Sequence, residues 1–187
     1  MFIKKVFLIT VIINIFSSCC IANNESYNPQ DNDVYILAGA NFSDRKDLVM
    51  IMLDSIRTSD DNPQIKYWWN VVVNKNKKLP YDTEKYMNKG NCLERKITIL
   101  SVFQSLKNKL VYQFDQPFEL YCPPNSVGDY QLKIVCSSSK TEIIKKEFEK
   151  NIMFLPKDPD LFLNLCQEII ERGVKAKKNN FIPTQSH

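Results

Sequence analysis

Cysteines behind an export-type leader constrain this chain more than any other feature, because compartment decides what a cysteine can do. Lys4 and Lys5 precede an eleven-residue apolar run, Val6 to Phe16, and a small-residue segment, Ser17 to Ala22. That order is the pattern of a signal peptide over residues 1–22. The run falls short of the roughly 20 residues that span a bilayer. Past the leader four cysteines remain, Cys92, Cys122, Cys136 and Cys166. Outside the cytoplasm an even set of this kind reads first as disulfides.

Two cleavage sites compete. Signal peptidase would cut after Ala22, whereas Phe16-Ser17-Ser18-Cys19 looks like a bacterial lipobox that would acylate Cys19 as the new first residue. Removing residues 1–22 leaves 23 basic against 21 acidic side chains. So even a balance argues against a dedicated polyanion binder and against a nucleic-acid partner. Lys75, Lys77 and Lys78 in one loop, and Lys175, Lys177 and Lys178 near the end, read as solvated. The remaining length suffices for one domain with a real core.

Four cysteines allow three pairings. A helix from Ser126 to Cys136, rising about 1.5 Å per residue, would hold Cys122 and Cys136 about 15 Å apart, beyond the roughly 7 Å reach of a disulfide. Cys92 with Cys136 and Cys122 with Cys166 remains, as does Cys92 with Cys122 and Cys136 with Cys166. Spacing leaves both open.

The mature chain opens with a polar stretch, residues 23–32, expected to be a flexible tether. Strands follow. Val34 to Leu37 and Leu48 to Leu53 are short β-type runs, the second ending at Asp54-Ser55, and Gln64 to Val73 is the strongest, rich in aromatic and β-branched residues. Residues 74–91, lysine-rich and broken by Pro80 and Gly90, are expected to form a long exposed loop. Lys96 to Phe103 and Lys109 to Phe114 read as a hairpin. Ser126 offers a helix N-cap, with Asp129 at capping-box distance. A second helix is expected over residues 141–152, and a third from Asp158-Pro159-Asp160, with Leu161, Leu165, Cys166 and Ile169 on one face and Gly173 at its end.

The order of Leu53-Asp54-Ser55-Ile56, a Trp-bearing strand, Asn91-Cys92 with Arg95 following, a hairpin, then Pro124-Asn125-Ser126 and a helix ending in Cys136 resembles the bacterial surface-adhesin protein E family over about Val34 to Cys136. The resemblance implies an α+β fold: an antiparallel sheet of about six strands with a helix on its concave face, joined by Cys92 and Cys136. It thereby selects the first pairing, and leaves Cys122 with Cys166 by elimination. Residues 33–137 form the domain on this reading, 138–173 a C-terminal helical extension and 174–187 a basic flexible tail. Homodimerisation is also implied.

Catalytic chemistry is not expected. His187 is the only histidine and stands at the terminus, a poor place for the packed imidazole of a Ser-His or Cys-His mechanism. The cysteines lack zinc-ligand spacing, and no glycine run cradles a phosphate, so neither metal nor cofactor is expected. Asp54, Asp60, Asp61 and Glu94 leave a carboxylate-based hydrolase as a trailing reading; Asp54-Ser55 is expected to be a strand-ending turn. Strand alternation sends Trp68 to one face and Tyr67 and Trp69 to the other, where they are either covered or a contact surface. Arg95 reads as a solvated cation.

Two function classes remain. The first is an exported bacterial surface or periplasmic binding protein, adhesin-like, contacting host matrix or envelope proteins through sheet edge, loops and aromatics (Tyr67, Trp69, Lys75, Lys77, Lys78), and touching membrane only through a lipid anchor. The second is a small disulfide-linked inhibitor that places an ordered loop, Lys75 to Lys89, in a foreign enzyme's cleft.

Overall fold

The computed structural model describes residues 32–76, 78–137 and 151–179. The leader with Cys19, the tether up to residue 31, Lys77, most of the expected second helix and the residues after Asn179 lie outside the described residues.

Among the described residues nine strands make one sheet: β1 (Asn32–Asn41), β2 (Asp47–Met52), β3 (Arg57–Thr58), β4 (Ile65–Asn74), β5 (Thr83–Asn91), β6 (Lys96–Leu106), β7 (Lys109–Phe114), β8 (Phe118–Tyr121) and β9 (Ile152–Pro156). The spatial order is β7-β6-β5-β4-β2-β1-β9, with β3 added to β4 and β8 to β6. All described pairings are antiparallel. The described residues add two helices, α1 (Val127–Val135) and α2 (Pro159–Asn179). The architecture is α+β, with three more strands than the expected six.

Those strands fall where local signals were weakest. Residues 83–91, expected as loop, form β5 between β4 and β6. Gly90 is no breaker there: a Cβ on it would lie 2.7 Å from the Trp68 ring, so the indole packs directly on backbone. Ile152–Pro156, which start at the last residue of the expected second helix and lie within the helical extension expected over 138–173, pair with β1 as an edge strand, so this part of the C-terminal segment belongs to the sheet. The hairpin is as expected, with a two-residue turn at Lys107 and Asn108, whose φ values of 47° and 61° suit the twist of an antiparallel pair.

Strand alternation divides the core in two. Ile36, Ile51, Trp68, Ile97 and Ile99 face α1 and pack with its Leu132, Ile134 and Val135. Tyr35, Leu37, Leu48, Met50, Val71 and Val73 face the other way, with Leu163, Cys166, Ile169 and Ile170 of α2. The sheet is thus covered on both faces.

Both helices start as their sequences predict. Ser126 Oγ accepts the Asp129 N–H at 3.1 Å, and Asp158 Oδ1 accepts the N–H groups of Asp160 and Leu161 at 3.0 and 2.9 Å. Gly173 does not end α2. It is buried mid-helix, where a Cβ would lie 2.5 Å from the Phe42 ring, and the helix runs on to Asn179 through residues expected as tail. Leu161, expected on the buried face, is 59% exposed.

Cys92 and Cys136 are joined, their Cα atoms 5.8 Å apart. The pairing of Cys122 with Cys166 is not formed: both are buried free thiols. Cys122 packs in the core beneath α1 and Cys166 in the core beneath α2, so the sheet stands between them.

Candidate functional site

The turn between β5 and β6 positions α1. Cys92 holds the C-terminal end of the helix through the disulfide. Arg95, in the same turn with φ 56°, hydrogen-bonds the Asp129 carboxylate in the first turn of the helix. Arg95 is therefore an anchor, where its sequence context suggested a solvated cation; a pairing across 34 residues leaves no local signal. The Asn125 N–H donates to Asp129 Oδ2 at 2.8 Å, and Lys133 lies 3.2 Å from the same oxygen. These partners, the Asn125 N–H foremost, hold the Asp129 carboxyl below its ordinary range against the opposing effect of desolvation.

Beside the anchored helix the sheet opens into a groove of about 440 Å³. Val49, Val72, Ile97 and Ile99 supply apolar floor, and Leu120 to Pro123 and Val127 the far wall. Polar side chains interrupt it in a row. Trp68 Nε1–H donates to Asn70 Oδ1 at 2.9 Å, and Asn70 Nδ2–H donates to Gln131 Oε1 at 2.9 Å, which ties strand to helix. Asn88 donates to the Tyr86 carbonyl at 3.0 Å, and the Tyr86 hydroxyl donates to Glu84 Oε2 at 2.6 Å. Arg45 stands on the rim, 2.7 Å from Asp47. Apolar lining with a few fixed polar groups is the usual make-up of a binding site.

Three titratable groups at the groove, Tyr86, Cys122 and the rim's Asp47, are shifted toward their neutral forms. Burial, reinforced by the hydrogen bond to Glu84, raises the Tyr86 phenol, and burial with the nearby Asp129 charge raises the Cys122 thiol. Burial also raises the Asp47 carboxyl, with Arg45 opposing. Cys122 lies so close under α1 that a Cβ on Gly128 would be 2.6 Å from its sulfur. The groove offers apolar surface and hydrogen bonds; its thiol and phenol stay protonated at neutral pH.

One wall of the groove continues onto the sheet edge. Strands β7 and β8, both paired to β6, expose Leu110 (57%), Tyr112 (53%), Leu120 (45%) and Tyr121 (67%). The sequence showed these runs as strands or loop but carried no mark that they are an edge, because edge position depends on pairing far along the chain.

The residues singled out from sequence lie elsewhere. Trp68 is fully buried under α1. Tyr67 and Trp69 are half-buried on the α2 side, outside both core clusters, with Trp69 against Phe103 at 5.8 Å between ring centroids. Lys75 pairs with Glu171, and Lys78 is exposed in a second cavity with it. Asp54-Ser55 is the expected turn: Ser55 Oγ–H donates to the Met52 carbonyl at 2.6 Å and accepts the Trp69 N–H at 2.8 Å. Among the described residues no cluster of three or more His, Cys, Asp or Glu could hold a metal ion. Among them too, no helix is long and apolar enough to cross a membrane.

No protein-family model matches the chain, and no curated protein does. Solved structures of Haemophilus influenzae protein E are similar to it. One has a TM-score of 0.42 at 16% identity, covering 57% of this chain and 86% of that chain. Its crystal form II has a TM-score of 0.39 at 16% identity, covering 47% of this chain and 79% of that chain. The likeness is weak and concerns the fold alone.

Proposed function

We propose that this chain is an exported, non-catalytic binding protein that takes apolar side chains of a partner protein into the groove beside α1, with the β7–β8 edge as the surrounding contact. The observation that carries the reading is the continuity of groove and edge. Leu120 and Tyr121 line the cavity and also stand exposed on β8, the short strand paired to β6. A partner crossing that edge would cover apolar surface and seat side chains in a preformed pocket, the combination that gives interfaces their energetic centre. Export rests on the leader and agrees with the Cys92–Cys136 bond. The partner class is a host matrix or envelope protein. Self-association through the same edge belongs to this reading as a competing use of the surface.

The inhibitor reading loses its loop. Of the segment Lys75 to Lys89, Thr83 onward is β5 in the interior of the sheet, and Lys75 is held against α2.

The test uses the mature protein with an immobilised extracellular-matrix extract and an envelope fraction of the source cells, read by interferometry. Tyr121→Asp and Val127→Asp, both at exposed positions, are expected to weaken capture about tenfold, since each sets a charge in an apolar contact. Trp69→Ala is expected to leave it unchanged. Equal capture by all variants, or loss only with Trp69→Ala, contradicts the groove as the contact.

A further inference from the structure

We infer that a second site, on the α2 side of the sheet, binds a linear acidic glycan. Three segments far apart in sequence meet there around a cavity of about 460 Å³. Lys46 comes from the β1–β2 turn, Lys75 and Lys78 from the β4–β5 connection, and Lys175 and Lys178 from α2. Glu171 is the one carboxylate among the lining residues, so the lining carries a formal charge of +4, five lysines less one glutamate. The nearly balanced charge of the whole chain conceals this, because folding rather than composition gathers the lysines.

The site is built rather than incidental. The Lys75 N–H donates to the Lys46 carbonyl at 2.9 Å, which ties the two loops, and the Lys75 ammonium pairs with Glu171, which ties them to α2. Lys46 holds φ at 53°, a left-handed conformation that glycine or asparagine adopts with less strain. A lysine kept in that conformation adds a cation to the cavity at a cost in stability.

The arrangement selects its ligand class. All five cations are lysines, point charges without the planar fork that grips a single carboxylate or phosphate two-handed. The cavity abuts the C-terminal half of α2, where the helix dipole disfavours one localised anion. Charge spread along a chain suits such a site better. Lysines on two walls suit a strand lying between them better than a flat lipid surface. Val174, partly exposed on the α2 side, gives apolar contact for the carbon face of a sugar ring. The choice of glycan over nucleic acid rests on the export proposed above.

The experiment measures affinity of the mature protein for a size-defined heparin oligosaccharide at low salt. Duplex DNA, poly-glutamate and phosphatidylglycerol vesicles serve as parallel probes. The triple substitution Lys75→Gln, Lys78→Gln, Lys175→Gln is expected to weaken glycan binding about tenfold or more, and the wild-type affinity to fall steeply with salt. Lys107→Gln with Lys109→Gln at the hairpin tip should change it by less than about twofold, as charges remote from the site are screened. Glu171→Gln, though it breaks an ion pair, is expected to tighten binding. Lys46→Gly should raise the melting temperature while weakening binding. No glycan binding, equal loss with the hairpin-tip variant, or tighter binding of DNA, peptide or vesicles each overturns the assignment. Failure of export is read separately, as an uncleaved N-terminus by mass spectrometry.

Discussion

The two helices solve the same problem, covering one face of a sheet, by different means. Helix α1 has nine residues and is stapled: a disulfide at its C-terminal end, and Arg95, Lys133 and the Asn125 N–H gathered on Asp129 in its first turn. Helix α2 has 21 residues and no covalent tie, and its Cys166 is a fully buried thiol whose burial pushes its pKa up to about 12. The faces differ in kind as well. Among the described residues, Asp47, Asn70, Asn74, Glu84, Asn88, Asp129 and Gln131 are the buried polar residues on the α1 side, while Thr83 is the one on the α2 side. A long amphipathic helix closes a dry face chiefly by packing its apolar stripe, with the Lys75–Glu171 ion pair at the rim. A short helix over a polar face buries too little to hold itself there, and the staple lets the groove beside it stay open.

The comparison can be broken at its strongest point first. Replacing Cys92 and Cys136 by serine removes a cross-link over a separation of 44 residues, and chain entropy puts the loss at about 4 kcal/mol. Denaturant unfolding should show that loss, and hydrogen exchange should show α1 opening before α2. A change below about 1 kcal/mol would mean that α1 holds by packing.

The α2 side should fail by overpacking instead. Gly173→Ala drives a Cβ into the Phe42 ring; strain of about 3 kcal/mol, less about 1 kcal/mol of helix propensity, leaves a loss of about 2 kcal/mol. Phe42→Leu in the same chain should recover part of it, a coupling that a double-mutant cycle measures. Ser126→Ala, which deletes the N-cap of α1, should cost about 1 kcal/mol in the same unfolding assay.

The last prediction is a slope rather than a size. Asp129 has a depressed carboxyl in the folded chain, so its contribution is present in full above the unfolded carboxyl range, near pH 4, and is lost as pH falls toward the lower folded value. Asp129→Asn should therefore be less stable than wild type at neutral pH and should lose part of the acid slope. Parallel curves down to the acid limit would remove Asp129 from the staple.

What the sequence disclosed follows the range of the interactions. The Ser126 cap, the Asp54-Ser55 turn and the hairpin of Lys96 to Phe103 with Lys109 to Phe114 depend on neighbours a few residues away, and each is in the structure, the hairpin with a tighter turn than the five residues read as its connection. Strand β5 was hidden because Thr83 to Asn91 is polar and carries Gly90 next to its end; the β4 and β6 ladders and the Trp68 ring make it a strand. Gly173 reads as a helix end only if Phe42, 131 residues earlier, is out of sight. The candidate site was the least legible part. Its groove needs the register of β2, β4, β5 and β6 together with the seat of α1, and the lysine cavity needs three distant segments. The sequence singled out Tyr67 and Trp69 for their chemistry, and the fold half-covers both.

The account rests on the Cys92–Cys136 bond, and non-reducing peptide mapping of protein from its native source reads it directly. Cys92 should be found linked to Cys136, with Cys122 and Cys166 labelled as free thiols only after denaturation. Four free thiols, or a peptide joining Cys122 to Cys166, would contradict both the staple and the sheet placed between those two sulfurs.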